Sequence, residues 1–392
     1  MKAIAQYLER YAEKETRSLE LWPRHQRFNR SLVIPVYDEA PAFIDRIRRS
    51  NHAHQLLLIA VINRPDNTDH CNANDELFEY LQKNFNVQWQ QDLLSLFVND
   101  DFGILVVDRH SNPIPAKQGV GLARKIGCDL ATQLIFDQAV ASPWIHSTDA
   151  DAQLPVDYFQ TDPLSASYSG ATYSFQHIRD KTATAKATEL YEKTLHDYVD
   201  GLARANSPYA FHTIGSIIAV NHLHYCQARG FPKRSGGEDF YLLNKLRKLG
   251  EIATLPALIM LEPRESHRVP FGTGPATAKI LQELSNQETI TTYNPDLFNQ
   301  LSITLKNLTD TIENGESLSA ALDKLPTSSQ RALKSLDIEK CFLHLNSRNT
   351  KAWKLRHFHD WFDGFRTLKF VRFLQNNYFP NIPLNRYHSK QT

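Results

Sequence analysis

The sequence has few cysteines, no large excess of charge and no long apolar run. Only four of its 392 residues are cysteines, and these are far apart and form no CxxC pair: Cys71, Cys128, Cys226 and Cys341. This pattern argues against a zinc knuckle or a disulfide framework and fits a reducing cytoplasm. The formal net charge of +1 gives no overall attraction to nucleic acid or to a membrane.

The apolar runs are too short to span a bilayer. The run over residues 56–62, for example, falls far below the roughly 20 residues that a membrane-spanning helix needs. Residues 1–10 are polar with helical spacing, and they lack the apolar centre of a secretion signal. We therefore expect a soluble, cytoplasmic protein with no integral membrane segment and no nucleic-acid partner.

Predicted strands and helices alternate through the first part of the chain. Strands are predicted over residues 31–36, 56–62 and 103–108 and just before Asp149, with helices over residues 43–47, 75–81 and 119–138. This alternation predicts an α/β fold with a mostly parallel sheet flanked by helices. In such sheets, ligands bind beyond the carboxyl ends of the strands.

The order of the elements changes after Pro155. Strands are predicted over residues 170–175 and 211–220, with helices over residues 183–205 and 238–249. From about residue 275 the pattern is mostly helical. We therefore expect an N-terminal helical segment (1–30), an α/β domain (31–274, with halves 31–155 and 156–274) and a helical C-terminal region (275–392).

The C-terminal region has its own composition. After Cys341, basic residues greatly outnumber acidic ones and are interleaved with aromatic residues. Aromatic residues at helical spacing are more often core than membrane anchors, so we favour a helical appendage that covers the acceptor side or builds a homo-oligomer. Peripheral contact with an anionic membrane surface stays open.

Two aspartates follow the predicted strand at residues 144–147. They form the sequence Asp149-Ala150-Asp151, and an extended strand end directs alternate side chains to the same side. Both carboxylates can therefore face one hard cation. Such a cation prefers oxygen ligands and keeps several waters, so two carboxylates suffice when phosphates supply the remaining ligands. A polar turn capped by an aspartate is the alternative.

A second acidic pair opens a predicted helix. Glu238 and Asp239 follow two glycines at the start of that helix. The helix dipole favours acidic residues there, and this alone explains the position. Alternatively, Asp239 is a general base that takes a proton from an acceptor hydroxyl, and Glu238 holds that hydroxyl or a neighbouring one.

In their order along the chain, these segments resemble the family 2 glycosyltransferases of GT-A fold. The resemblance covers residues 31–272. It is carried by Ile34-Pro35-Val36-Tyr37-Asp38-Glu39, by the Gly-rich helix entry at residues 119–124, by Asp149-Ala150-Asp151, and by Gly215-Ser216, Gly230-Phe231 and Gly237-Glu238-Asp239. It implies a Rossmann-like GT-A domain that transfers a sugar from a nucleotide diphosphate sugar, UDP- or GDP-linked, to a hydroxyl acceptor.

The resemblance also implies roles for individual residues. It assigns catalysis to Asp239 and Glu238. It assigns Mn²⁺ or Mg²⁺ to Asp149, Asp151 and His267, the last placed between Arg264 and Arg268, which suit phosphate oxygens. It assigns nucleotide-sugar binding to Pro35, Tyr37, Glu39, Asn63, Lys117, Arg124 and Asp149. Asn63 stands where the family usually has an aspartate that binds the base, so the base stays open.

Two other functions remain compatible with these residues. A sugar-nucleotide nucleotidyltransferase shares the strand, turn and DxD arrangement, but it requires a Gly-rich loop directly after the first strand, where this chain has Val36-Tyr37-Asp38-Glu39. A catalytically silent nucleotide-sugar-binding protein of the same fold is the other. The residues do not decide between inversion and retention at the anomeric carbon.

Overall fold

The structure, a computed structural model, describes residues 2–50, 53–159, 167–264, 272–346 and 350–384. The chain forms two compact units. One contains Met1–Asp180 and Thr213–Pro275, and the other contains Lys181–His212 and Ala276–Thr392.

The first unit is built on a ten-stranded sheet. Its strands in chain order are β1 (Arg30–Val36), β2 (Leu56–Pro65), β3 (Asn86–Gln91), β4 (Leu94–Asn99), β5 (Phe102–Ile114), β6 (Trp144–Ser147), β7 (Ala152–Gln153), β8 (Tyr168–His177), β9 (Ile218–Asn221) and β10 (Glu251–Leu261). Across the sheet the order is β3-β4-β5-β2-β1-β6-β9-β8-β10-β7.

The helices are distributed along the whole chain. They are α1 (Lys2–Arg10), α2 (Ala42–Arg48), α3 (Asn72–Asn84), α4 (Gly119–Phe136), α5 (Ala183–Arg204), α6 (His222–Gln227), α7 (Glu238–Arg247), α8 (Thr273–Ser285), α9 (Pro295–Asn314), α10 (Leu318–Asp323), α11 (Thr327–Ser335), α12 (Ile338–Leu345), α13 (Lys351–Trp361) and α14 (Gly364–Asn377). Short 3₁₀ helices lie at Lys14–Leu21 and Gly215–Ile217. Among the described helices, none combines the length and the apolar character that crossing a membrane requires.

The expected α/β sheet flanked by helices is confirmed, but it is mixed. The neighbouring strands β5, β2, β1 and β6 are all parallel, and they are the four strands predicted in the first part of the chain. Beyond β6 the sheet continues with β9, which is antiparallel to both β6 and β8. On the other side the hairpin of β3 and β4, absent from the sequence prediction, adds two antiparallel strands.

Strand β1 lies at the centre of the sheet because its side chains are apolar on both faces. Leu32, Val33, Ile34 and Val36 are fully buried, as expected for a strand covered by helices on both sides. Pro35 lacks an N–H group, which a central strand normally needs. Here β6 pairs only with Ser31–Val33, so Pro35 lies beyond the point where a second neighbour would need that donor.

The second unit is a helical cluster with two short strands, β11 (Thr291–Thr292) and β12 (Ile382–Pro383). The sequence had placed residues 181–212 in the α/β domain, but the structure places them here. The reason is that Leu202 and Ala205, at the end of α5, are buried in the same apolar core as Phe298 and Leu301 of α9. The predicted N-terminal segment, in contrast, belongs to the first unit.

A buried polar cluster attaches α1 to α4. The carboxylate of Asp129 accepts hydrogen bonds from the hydroxyls of Tyr7 (2.6 Å) and Tyr225 (2.8 Å), and it lies 2.8 Å from the ammonium group of Lys125. The backbone N–H of Glu13 donates to its second oxygen at 2.8 Å. Asp129 is completely buried, so these partners supply all of its hydrogen bonding.

We predict that Asp129→Asn destabilises the protein by about 3–5 kcal/mol, because the NH₂ group of asparagine would face the donors Lys125 Nζ and Glu13 N–H, and Lys125 would keep only the more distant carboxylate of Glu13, at 3.9 Å, as a counter-ion. Thermal and urea unfolding would measure the loss. The control is Asp137→Asn at the exposed end of the same helix, which should change stability by less than about 0.5 kcal/mol. Equal stability of the two variants would show that the cluster does not anchor α1.

Candidate functional site

The candidate site lies where the strand order reverses. From β1 the chain first builds outward through β2 to β5, and it then returns to add β6 on the other side of β1. In open α/β sheets, the crevice beyond the carboxyl ends at such a point is where ligands bind. Glu39 follows β1, and Asp149 and Asp151 follow β6, so three predicted residues border this crevice.

Arg264, three residues after β10, joins the two sides of the crevice. Its Nη1 lies 2.7 Å from Oε1 of Glu39, and its Nη2 lies 2.9 Å from Oδ2 of Asp151. The two carboxylate side chains are 16% and 15% exposed, whereas that of Arg264 is 35% exposed. One partly accessible cation therefore links two largely buried acids.

The charge of Asp149 acts on the other aspartate of the DxD motif. Burial and, after it, the charge of nearby Asp149 raise the pKa of Asp151 to about 6, while Arg264 acts in the opposite direction. A carboxylate in this situation gains from an additional cation. The donor set, carboxylate oxygens beside a partly open crevice, fits a hard divalent cation such as Mn²⁺ or Mg²⁺.

Arg124 of α4 holds the other acids of the site. Its Nη2 donates to Asp149 Oδ1 at 2.6 Å, and its Nε donates to Glu238 Oε1 at 3.1 Å. Its Nη1 donates to the hydroxyl of Ser147 at 3.0 Å and to the carbonyl of Thr148 at 3.3 Å. Burial opposes its charge, but Asp149 and Glu238 outweigh this effect and raise the pKa of Arg124.

Arg124, predicted to bind the nucleotide sugar, has the surroundings of a structural link. Its side chain is only 3% exposed, and its guanidinium donates to four protein groups. Gly215 makes room for it, because a Cβ atom there would lie 2.4 Å from Nη2. Of the strand predicted over residues 211–220, residues 215–217 form a 3₁₀ turn, and strand β9 begins only at Ile218.

The Gly-rich entry to α4 also has a packing role. A Cβ atom at Gly121 would lie 2.4 Å from the carbonyl oxygen of Pro232 and 2.5 Å from that of Arg234. The N–H of Gly121 donates to the same carbonyl of Arg234 at 3.0 Å. This close approach fixes the segment that leads into α7, and so it positions Glu238 and Asp239.

Asp239 lies in the first turn of α7, two residues after Gly237, which has a φ of 70°. Its Oδ1 accepts a hydrogen bond from the N–H of Phe240 at 2.6 Å. Burial raises the pKa of Asp239 to about 7, and the neighbouring charge of Glu238 contributes in the same direction. Asp149 also acts on Asp239, so the predicted catalytic acids and the DxD motif share one electrostatic environment.

The remaining predicted residues have different positions. Pro35 and Tyr37 are partly exposed at the end of β1, and Lys117 is exposed in the turn before α4. Asn63 is only 5% exposed, and its amide donates to the carbonyls of Val36 at 2.9 Å and Val61 at 3.2 Å. That amide therefore ties β2 to the end of β1. His267 lies outside the described residues.

Arg46 of α2 was not predicted. Its guanidinium donates to the carbonyl of Ala150, between the two aspartates, and to that of Ala152 at 3.4 Å. It also lies 3.8 Å from Glu262. An arginine in the last turn of a short helix gives no sequence signal of a partner about a hundred residues away, so local pattern could not have found it.

A cluster of metal-ligand side-chain types is formed by the loop before α3, the first turn of α3 and strand β5. Within the described residues, His70, Asp75 and His110 are the group of three such side chains whose ligand atoms lie within 4.8 Å of one another. Asp75 Oδ1 lies 3.1 Å from Nε2 of His110, and Asp75 Oδ2 lies 3.0 Å from Nε2 of His70.

The hydrogen bonds around His110 argue against a metal there. Asn74 accepts from the N–H of Asp38 through Oδ1 (3.1 Å) and donates through Nδ2 to the carbonyl of Asn63 (3.0 Å), which fixes its amide orientation. The same Nδ2 lies 3.2 Å from Nδ1 of His110, so that nitrogen must be the acceptor. In the neutral ring, Nε2 then carries the proton and donates to Asp75 instead of binding a metal.

Comparisons with known proteins do not assign the chain. No family model matches it, and no curated protein matches it. A solved structure described as the crystal structure of a mycobacterial protein is 11% identical; the match covers 68% of this chain and 79% of that chain, with a TM-score of 0.33. A likeness at this level carries no argument about function.

We predict that neutral His110 has its proton on Nε2. Nitrogen-15 spectra of histidine-labelled protein at pH 8 should show this tautomer, and adding Zn²⁺ should leave the His110 signals unchanged. Asn74→Leu, which removes the amide, serves as the control and should allow the proton to move to Nδ1. A proton on Nδ1 in the wild type, or a Zn²⁺-dependent shift of His110, would contradict the assignment.

Proposed function

We propose that residues 31–180 and 213–274 form a GT-A domain similar to that of family 2 glycosyltransferases. In this proposal the protein is a divalent-metal-dependent glycosyltransferase, which moves a sugar from a nucleotide diphosphate donor to an acceptor hydroxyl. The observation that carries the proposal is the pair of contacts made by Arg124. One buried guanidinium binds Asp149, on the predicted donor side, and Glu238, on the predicted acceptor side.

On the donor side, Asp149 and Asp151 would hold Mn²⁺ or Mg²⁺. When bound, the ion supplies positive charge that stabilises the departing diphosphate. Within the chain, Arg124 orients Asp149 for this role, and Arg264 is the cation that lies next to Asp151.

On the acceptor side, Asp239 is the general base. A base works best when its pKa lies near the working pH, and burial beside Glu238 raises the pKa of Asp239 to about 7. The hydrogen bond from Phe240 N–H fixes one carboxylate oxygen, which leaves the other for the acceptor hydroxyl. Glu238 is held by Arg124, so it serves mainly to position the start of α7.

The nucleotide base would bind near the ends of β1 and β2. Tyr37 offers a partly exposed ring at this edge. The Asn63 amide N–H₂ is used by backbone carbonyls, so recognition of the base by that group would require those bonds to break. We therefore assign Asn63 a structural role in shaping the base side, and we leave the choice between UDP and GDP to binding measurements.

Calorimetry with UDP- and GDP-sugars, with and without Mn²⁺, tests the proposal. Metal-dependent binding of one donor sugar nucleotide, together with slow release of its nucleoside diphosphate (UDP or GDP), supports a glycosyltransferase. Release of pyrophosphate from a nucleoside triphosphate would support a nucleotidyltransferase instead. Metal-dependent donor binding without any turnover, also in the presence of varied hydroxyl acceptors, would indicate a silent binding protein.

We predict that Asp151→Ala abolishes Mn²⁺-dependent nucleotide binding. Stability should fall by less than about 1 kcal/mol, because the ion pair that is lost is only partly buried. Calorimetry and thermal unfolding measure the two effects. Asp157→Ala, which removes an acid in the turn after β7, is the matched control and should bind normally. Unchanged nucleotide affinity in Asp151→Ala would reject the metal assignment.

We predict that Asp239→Asn keeps donor binding but lowers the turnover rate by about 10²–10⁴-fold, since the general base is lost. In the wild type the active form is the deprotonated carboxylate, so the rate should fall as the pH drops below about 7. Release of UDP or GDP from the bound donor, followed from pH 5 to 9, measures both effects.

The stability of Asp239→Asn separates a catalytic loss from misfolding. Because burial raises the pKa of Asp239, the fold favours the neutral acid, and its contribution to stability is lost as the pH rises through about 7. Neutral asparagine should therefore be at least as stable as wild type at pH 8. Asp296→Asn in the first turn of α9 is the control for a helix-start acid and should keep full turnover.

A further inference from the structure

Arg264 differs from the other arginines of the site in how it holds its partners. Its guanidinium makes one contact each with Glu39 and Asp151, and 35% of its side chain is exposed. Arg124, in contrast, is 3% exposed and donates to four groups. The bonds of Arg264 can therefore exchange with solvent or a ligand, whereas those of Arg124 are enclosed.

The contact with Asp151 occupies one of the two carboxylate oxygens that could hold a cation. Nη2 of Arg264 lies 2.9 Å from Oδ2 of Asp151, on a carboxylate that is only 15% exposed. A divalent cation and a guanidinium cannot both occupy the same face of such a buried group. Arg264 also needs a second anion if it leaves Asp151, because burial alone works against its charge.

A bound diphosphate offers that second anion. Its oxygens match the planar guanidinium in a two-point contact, which suits arginine better than lysine. The exchange keeps each charge paired: the cation binds Asp151 in place of Arg264, and the displaced guanidinium binds the phosphate that accompanies the cation.

We propose that Arg264 is an internal counter-ion that competes with the divalent cation for Asp151 and is transferred to the diphosphate when the metal–nucleotide complex binds. This inference rests on the metal site of the proposed function. It makes Arg264 a positioning residue that keeps the acidic crevice neutral until both parts of the ligand arrive. Metal alone should then bind weakly, and metal together with nucleotide should bind strongly.

Mn²⁺ binding to the full chain tests the inference without relying on activity. The free ion is measured by electron paramagnetic resonance for wild type, Arg264→Gln and Arg264→Lys. We expect Arg264→Gln to bind Mn²⁺ alone about tenfold more tightly than wild type, since the competing charge is gone. With Mn²⁺ saturating, the same variant should bind UDP or GDP about tenfold more weakly. For Arg264→Lys, both the Mn²⁺ affinity and the nucleotide affinity should lie between those of wild type and Arg264→Gln.

The matched control is Arg46→Gln. Arg46 carries the same charge in the same acidic region, but its contacts are to the carbonyls of Ala150 and Ala152 and to Glu262, not to Asp151. Its Mn²⁺ affinity should stay close to that of wild type, and thermal unfolding checks that each variant is folded. Equal tightening in both glutamine variants would show a general charge effect and would overturn the inference.

Two further outcomes separate this inference from the proposed function. If wild type binds Mn²⁺ with nucleotide but Arg264→Gln has unchanged or weaker affinity for Mn²⁺ alone, then competition is refuted while the metal site stands. If no protein binds Mn²⁺, either alone or with UDP or GDP, then the metal site and the exchange at Arg264 both fail.

Discussion

The arrangement of the candidate site depends on one buried guanidinium, that of Arg124. Removing a charged group from water costs several kcal/mol, and this is recovered only when its hydrogen bonds are satisfied by well-placed partners. Arg124 obtains two carboxylates, one hydroxyl and one backbone carbonyl. Asp149 and Glu238 are therefore brought together by the need to neutralise a single side chain, whatever ligand binds beside them.

The sequence predicted the parts of this site that follow from local pattern. The apolar runs of β1, β2, β5 and β6 are continuous and short, which is typical of buried parallel strands, and the structure confirms these four. Because such strands end together at one edge of the sheet, Glu39, Asp149 and Asp151 could be expected there. The start of α7 was also predictable, since two glycines followed by two acids and an apolar periodicity mark a helix start.

Contacts between distant segments could not be predicted in this way. Arg264 and Glu39 are 225 residues apart, and nothing near either residue indicates the other. The sequence placed Arg124 on a phosphate because it follows a Gly-rich turn, but burial of an arginine depends on acids contributed by other elements. Helix α5 was assigned to the wrong unit for a related reason: an amphipathic pattern shows that a helix has an apolar face, not which core that face joins.

The two halves of the crevice differ in how firmly their charges are held. On the side of Asp149, the positive charge is the enclosed guanidinium of Arg124. It holds one carboxylate oxygen of Asp149 in a fixed direction. On the side of Asp151, the cation is a side chain at the surface of the crevice, and burial together with Asp149 already raises the pKa of Asp151 to about 6. In the proposed function, a ligand that brings its own positive charge would therefore gain most at Asp151, and Asp149 would supply the fixed oxygen against which that ligand is oriented.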